Sequence, residues 1–217
     1  MRFRNRADAG RALAERLQEY RGRDDVVVLA LPRGGVPVGF ELARELGAPL
    51  DVFLVRKLGV PGHEELAMGA IASGGVRVLN ESVIAELGIS DEQIARAATT
   101  EERELERRER LYRDGRPSID VRGRTVILVD DGLATGASMR AAALAVREHQ
   151  PAKIVVAVPV GAERTCDEFG AEVDEILCVV MPDRFFAVGS WYDDFSQTTD
   201  EEVRELLARS APAEARA

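Results

Sequence analysis

Val126-Ile127-Leu128-Val129-Asp130-Asp131-Gly132-Leu133-Ala134-Thr135-Gly136-Ala137-Ser138 passes from unbroken apolar character, through two adjacent acids, into small and hydroxyl-bearing residues. An apolar run this short, bounded by turn residues, is the pattern of a strand covered on both faces. Helical spacing over 135–149 follows it, so the stretch reads as a buried strand, a tight loop and the start of a helix.

Working outward, four further apolar runs occupy residues 26–31, 50–55, 154–160 and 175–180. Helical patterns separate most of them: 36–46 closed by Gly47, and 162–169 closed by Gly170. Residues 5–20 read as an amphipathic first helix through Ala9, Leu13, Leu17 and Tyr20. Strands alternating with helices predict an α/β fold with a five-stranded, mostly parallel sheet flanked by helices. In such sheets ligands bind beyond the carboxyl ends of the strands.

Two segments break the alternation. Residues 68–72 and 76–79 flank Ser73-Gly74-Gly75 as a hairpin. Ser90 with Gln93 three residues on marks a capping box, opening a helix that reaches Arg113. That helix carries 13 charged residues in 23, many at ion-pair spacing, which suits a solvated helix stiffened by pairs, or alternatively a partner-binding or dimerising arm. The expected organisation is a core over 1–180, with the hairpin and helical insertion at about 68–116, and a hood and tail over 181–217. Five aromatics between Phe185 and Phe195 mark the hood, and residues 211–217 read as a frayed tail.

Composition narrows the function classes. With 46% hydrophobic and 31% charged residues the chain is globular rather than disordered. A net charge of −9 argues against a broad grip on nucleic acid. No apolar run approaches the ~20 residues of a membrane span, and the N-terminus lacks a signal h-region, so a cytoplasmic protein is expected. Cys166 and Cys178, on a helix and a buried strand, are expected to be packing residues rather than a disulfide or zinc site.

The loop after the strand at 126–129 suits a phosphorylated ribose. Gly132 and Gly136 allow close backbone approach. Amides at the helix start, with the hydroxyls of Thr135 and Ser138, suit an anion at the positive end of the helix dipole. Carboxylates repel phosphate, but Asp130 and Asp131 suit a sugar diol beside it. An acid pair at a strand end also serves to cap the next helix, and spacing alone leaves both open. The absence of Lys after Gly136 and of G-x-G-x-x-G disfavours the two common nucleotide loops.

This motif, Val129 to Ser138, resembles the signature loop of the type I phosphoribosyltransferases. The resemblance implies that Asp130 and Asp131 hold the ribose diol while the 5-phosphate lies in the turn of Ala134, Thr135, Gly136, Ala137 and Ser138, with Gly132 and Leu133 completing the loop. Leu31-Pro32-Arg33-Gly34-Gly35 resembles the family's pyrophosphate loop, which places Arg33, Gly34 and Gly35 beside the leaving group and implies a cis bond between Pro32 and Arg33. The stretch from Val55 through Arg56, Lys57 and His63 to Glu64 and Glu65 is similar to the stretch leading into the mobile catalytic loop of adenine-type members. Residues 181–189 with Asp193 are similar to the hood of hypoxanthine-guanine-type enzymes, with Phe185 as the base-stacking candidate.

The implied reaction transfers the ribosyl 5-phosphate group between phosphoribosyl pyrophosphate and a nitrogenous base. Mg2+ would be bound mainly through substrate oxygens, and relatives suggest a homo-oligomer. Ala134 departs from the acid that hypoxanthine-guanine enzymes carry there, so Glu64 or Glu65 is the expected proton-handling group. Loop and hood point to different bases, so the acceptor stays open. The helical insertion lies outside the resemblance. A non-catalytic regulator that senses phosphoribosyl pyrophosphate is the alternative. A hydrolase of different chemistry would lack an evident nucleophile or metal cluster.

Overall fold

The structure, a computed structural model, describes residues 1–210 apart from the side chains of Glu64 and Glu65; the expected tail at 211–217 lies outside the described residues. In chain order the elements are α1 (Arg6–Arg16), β1 (Val26–Ala30), α2 (Gly35–Leu46), β2 (Leu50–Val52), β3 (Val55–Val60), β4 (His63–Ala72), β5 (Val76–Leu79), α3 (Glu81–Leu87), α4 (Asp91–Arg113), β6 (Thr125–Val129), α5 (Ala137–Glu148), β7 (Lys153–Val160), α6 (Glu163–Phe169), β8 (Glu175–Val180) and α7 (Asp200–Ser210). Five strands form one sheet in the order β2-β1-β6-β7-β8, and each neighbouring pair is parallel.

The uninterrupted apolar runs have a direct cause. Alternate residues of a strand face opposite sides of its sheet. Val26, Val28 and Ala30 of β1 join Leu13 of α1, nearby Leu17, Leu42 of α2 and Val203 of α7 in one core. Val27 and Leu29 join Met139 and Val146 of α5 and Phe169 of α6 in the other. Both faces are covered by helices, so all five residues of β1 are buried and apolar.

The run at 50–55 departs from its expected single strand. Strand β2 ends at Val52, and β3 leaves the parallel sheet to pair antiparallel with β4, which pairs in turn with β5. The split is held by the buried hydroxyl of Ser73, which accepts from the Leu54 amide at 2.9 Å, and by the Ser73 amide donating to the Leu54 carbonyl at 2.9 Å. The expected hairpin of β4 and β5 is therefore one side of a three-stranded ribbon. Its other side is the stretch that resembled the lead into a mobile catalytic loop, with the turn at Pro61-Gly62 as its tip.

The two cysteines differ from expectation as well. Cys166 and Cys178 form a disulfide between α6 and β8, with their Cα atoms 6.8 Å apart. The expected helix and strand are both present, but which way their side chains face depends on how α6 packs over β8, and that is a tertiary fact.

Helix α4 opens on the expected capping box at Ser90 and Gln93. Its outer face carries exposed pairs such as Arg96 with Glu92 and Arg110 with Glu106. Its inner face buries Ile94, Ala98, Leu105 and Tyr112. At its end the buried Arg113 donates to both oxygens of Asp51 at 3.1 and 3.2 Å and to the Val52 carbonyl at 3.0 Å. This charged clamp ties α4 to the edge strand of the main sheet. Removing one member of a buried pair strands the other charge. Arg113→Ala is therefore expected to cost about 3 kcal/mol in urea unfolding, against less than ~0.5 kcal/mol for Arg110→Ala on the exposed face.

Candidate active site

Two loops meet at the carboxyl edge of the sheet. Because β1 and β6 pair in parallel with Ala30 opposite Val129, the chain leaves both strands at the same level, and the Leu31 amide donates to the Val129 carbonyl at 2.8 Å. The first loop carries Pro32, Arg33, Gly34 and Gly35; the second carries Asp130 to Gly136. The Pro32–Arg33 peptide bond is cis.

Side chains are excluded where the loops touch. A Cβ on Gly34 would run into the Asp131 carboxylate, and one on Gly35 would meet the Val129 carbonyl oxygen and the Asp130 backbone. On the far side, a Cβ on Gly132 would collide with Val188 of the segment that follows β8.

The second loop is pinned from below and open above. Leu133 donates to the Val160 carbonyl at 2.8 Å and accepts from the Ala162 amide at 3.0 Å, and its side chain is buried. Ala134, Thr135, Ala137 and Ser138 are exposed. Gly136 adopts φ 74°, in the left-handed region, and starts α5 by accepting from the Arg140 amide at 2.8 Å. No side chain caps this N-terminus, so the helix presents backbone donors and its positive dipole end to the open loop.

The acids sit in contrasting company. Asp130 accepts from the Asp131 amide at 2.8 Å. It keeps partial exposure through a small cavity, but dense protein surrounds it, and burial together with the neighbouring Asp131 charge pushes its carboxyl well above the usual range. Burial also raises Asp131, against the pull of Arg6. Arg6 of α1 reaches across to donate to Asp131 at 2.8 Å and to the Ser196 carbonyl at 2.7 Å. Its guanidinium lies 4.0 Å from the Phe195 ring centroid. The Tyr192 hydroxyl donates to the Asp131 carbonyl at 2.6 Å, and burial raises that phenol so that it remains a donor.

A cavity of about 90 Å³ opens between the loops, lined among others by Pro32, Arg56, Arg108, Asp130 and Ser138. Arg56 on β3 is thus brought to the loops. Lys57, beside it in sequence, lines a larger cavity of about 750 Å³ between the ribbon and α4. Arg33 lies 3.8 Å from Asp200 at the start of α7. Phe185 packs against the cluster of Phe3, Val160 and Tyr192, while Phe186 is 87% exposed. The roles expected of Glu64 and Glu65 concern side chains outside the described ones.

Arg6, Tyr192 and Arg108 carry no local signal of a role here. Each is delivered by an element remote in sequence.

The raised carboxyl gives a signed prediction. From its ordinary value of 3.8 up to its raised value, folded Asp130 keeps a proton that the unfolded chain has lost, so stability falls as pH rises through that window. Asp130→Asn keeps the acceptor oxygen without the charge. It is expected to melt at the same temperature as the parent below pH ~4 and at a higher one near neutrality; a lower melting temperature at neutral pH would contradict the electrostatic account.

Residues 3–193 match the family model of the phosphoribosyl transferase domain. Over 208 residues the chain is 48% identical to two Mycobacterium tuberculosis proteins, from strains CDC 1551 and H37Rv, that carry the provisional name phosphoribosyl transferase; the match covers 96% of this chain and 47% of theirs, so the chain spans about half the length of these relatives. The crystal structure of TT1426 from Thermus thermophilus superposes with a TM-score of 0.86 at 44% identity, over 98% of this chain and 100% of that one. The chain belongs to the phosphoribosyl transferase domain family.

Proposed function

We propose that the protein transfers the ribosyl 5-phosphate group between phosphoribosyl pyrophosphate and a nitrogenous base, with pyrophosphate leaving. The observation that carries this reading is the joining of an uncapped helix N-terminus to two half-buried acids within one loop, Asp130 to Ser138. Amides from 134–138 and the hydroxyls of Thr135 and Ser138 take the 5-phosphate. Asp130 and Asp131 accept from the ribose diol. Arg6 already neutralises Asp131 at one oxygen, and a carboxylate has further lone pairs for the sugar.

In the reaction a base nitrogen forms a bond to the anomeric carbon as the bond to the pyrophosphate oxygen breaks, and the electron pair departs with pyrophosphate. Positive charge grows on the ribose near the acids, while negative charge grows on the leaving group near Arg33 and Arg56. Mg2+ would be held mainly by oxygens of phosphoribosyl pyrophosphate itself and would supply further neutralisation of that charge. Gly34 and Gly35 let the backbone of the first loop approach the reactants. Lys57, Glu64 and Glu65, on the ribbon beside the site, are the remaining candidates for closing over the reactants and handling the base proton, and Phe185 for bounding the base pocket.

The test is a pyrophosphate-release assay with phosphoribosyl pyrophosphate, Mg2+ and a panel of nucleobases. Release should depend on one class of base and fall about 100-fold or more in Asp131→Asn, because the ribose would lose its fixed orientation. Tight binding with no release from any base would instead assign the chain to non-catalytic sensing of the same ligand.

A further inference from the structure

The structure assigns a ligand contact to the helical insertion: we propose that Arg108 of α4, together with Arg56 of β3, binds the pyrophosphate group of the substrate. The inference rests on the function proposed above and adds to it a side chain from outside the two strand-end loops. Arg108 and Arg56 line the same cavity as Pro32, Asp130 and Ser138. That cavity lies between the loop assigned to pyrophosphate and the loop assigned to ribose phosphate.

Helical spacing explains how an exposed-looking charged helix delivers this residue. Glu101, Leu105, Arg108 and Tyr112 recur at three- and four-residue steps and so share one face of α4. Leu105 and Tyr112 on that face are buried, so Arg108 between them is directed inward rather than to the outer face of ion pairs. It remains 38% exposed.

Each arginine is held from behind by an acid of the same helix. Glu101 accepts from Nε of Arg56 at 2.6 Å, and Glu104 accepts from Nε of Arg108 at 2.7 Å. Glu104 is also engaged by Arg107, at 2.8 and 3.0 Å. Arg56 and Arg108, the two arginines that line the cavity, are thus each backed by an acid, and Arg108 shares its acid with the exposed Arg107. Arg56 is gripped through Nη2 as well as Nε, and a guanidinium fixed by an acid in this way loses little further rotamer freedom when a remaining N–H bonds a phosphate.

On the other side of Arg108 the same helix face reaches the first loop. The Tyr112 hydroxyl donates to Asp200 at 2.7 Å, and Asp200 lies 3.8 Å from Arg33. The insertion thus touches both arginines assigned to the leaving group, Arg56 through Glu101 and Arg33 through Tyr112 and Asp200. The chemistry of the cavity suits a diphosphate joined to a ribose.

Calorimetric titration with two ligands separates this role from a structural one. Mg2+–phosphoribosyl pyrophosphate carries the diphosphate; ribose 5-phosphate lacks it but shares the loop from Asp130 to Ser138. Arg108→Gln is expected to weaken the first ligand by about tenfold, the worth of one charge-assisted bond, and to leave the second unchanged, with Arg108→Lys restoring part of the loss. Equal affinities of parent and Arg108→Gln for the diphosphate ligand would overturn the inference, and so would parallel weakening of both ligands, which would mark a displaced helix. If the parent protein binds neither ligand, the proposed function itself falls, and the inference with it.

Discussion

Ala30 and Val129 lie opposite each other at the ends of two paired parallel strands, and that register sets where every other part of the site can be. Side chains of β1 and β6 pack on both faces of the sheet, and the register of their pairing fixes the level at which the two loops emerge. Once they emerge together they are too close for side chains. Gly34 and Gly35 are the consequence, packed directly on Asp131 and on the backbone of Asp130.

Placing two acids at this crowded edge has an electrostatic cost, and the surrounding architecture is arranged to offset it. Arg6 from the first helix pairs with the Asp131 carboxylate and Phe195 backs its guanidinium, while Tyr192, from the segment after β8, anchors the Asp131 backbone carbonyl. Asp130 accepts from the neighbouring backbone amide and stays the more strongly perturbed of the two. Strongly perturbed groups gathered in a cleft are where function is to be sought, and here the perturbed pair adjoins an uncapped helix start. A stable fold would be simpler without either feature, and their conjunction is what the proposed binding of a phosphorylated ribose rests on.

Much of this was legible in the sequence because it was written in local pattern. Doubly covered strands demand continuous apolar runs, and each of the five runs contributes a strand to the parallel sheet. The capping box at Ser90 is a contact between residues three apart, so it too could be read directly. What escaped was set by contacts across the chain. The run at 50–55 looks uniform, yet the Ser73 hydroxyl, 19 residues beyond Leu54, divides it between two sheets. Cys166 and Cys178 had the right elements but no visible facing. In the candidate site, the loop residues stand out by composition, whereas Arg6 and Arg108 resemble many other surface arginines until α1 and α4 are docked.

The account stands or falls on where the ligand lies, so the most direct measurement is a crystal structure of the protein soaked with Mg2+–phosphoribosyl pyrophosphate. The 5-phosphate should rest on the backbone amides of 134–138, with both ribose hydroxyls on Asp130 and Asp131 and the diphosphate between Arg33 and Arg56. A ligand seated instead in the larger cavity between the ribbon and α4, with the loop from Asp130 to Ser138 empty, would contradict it.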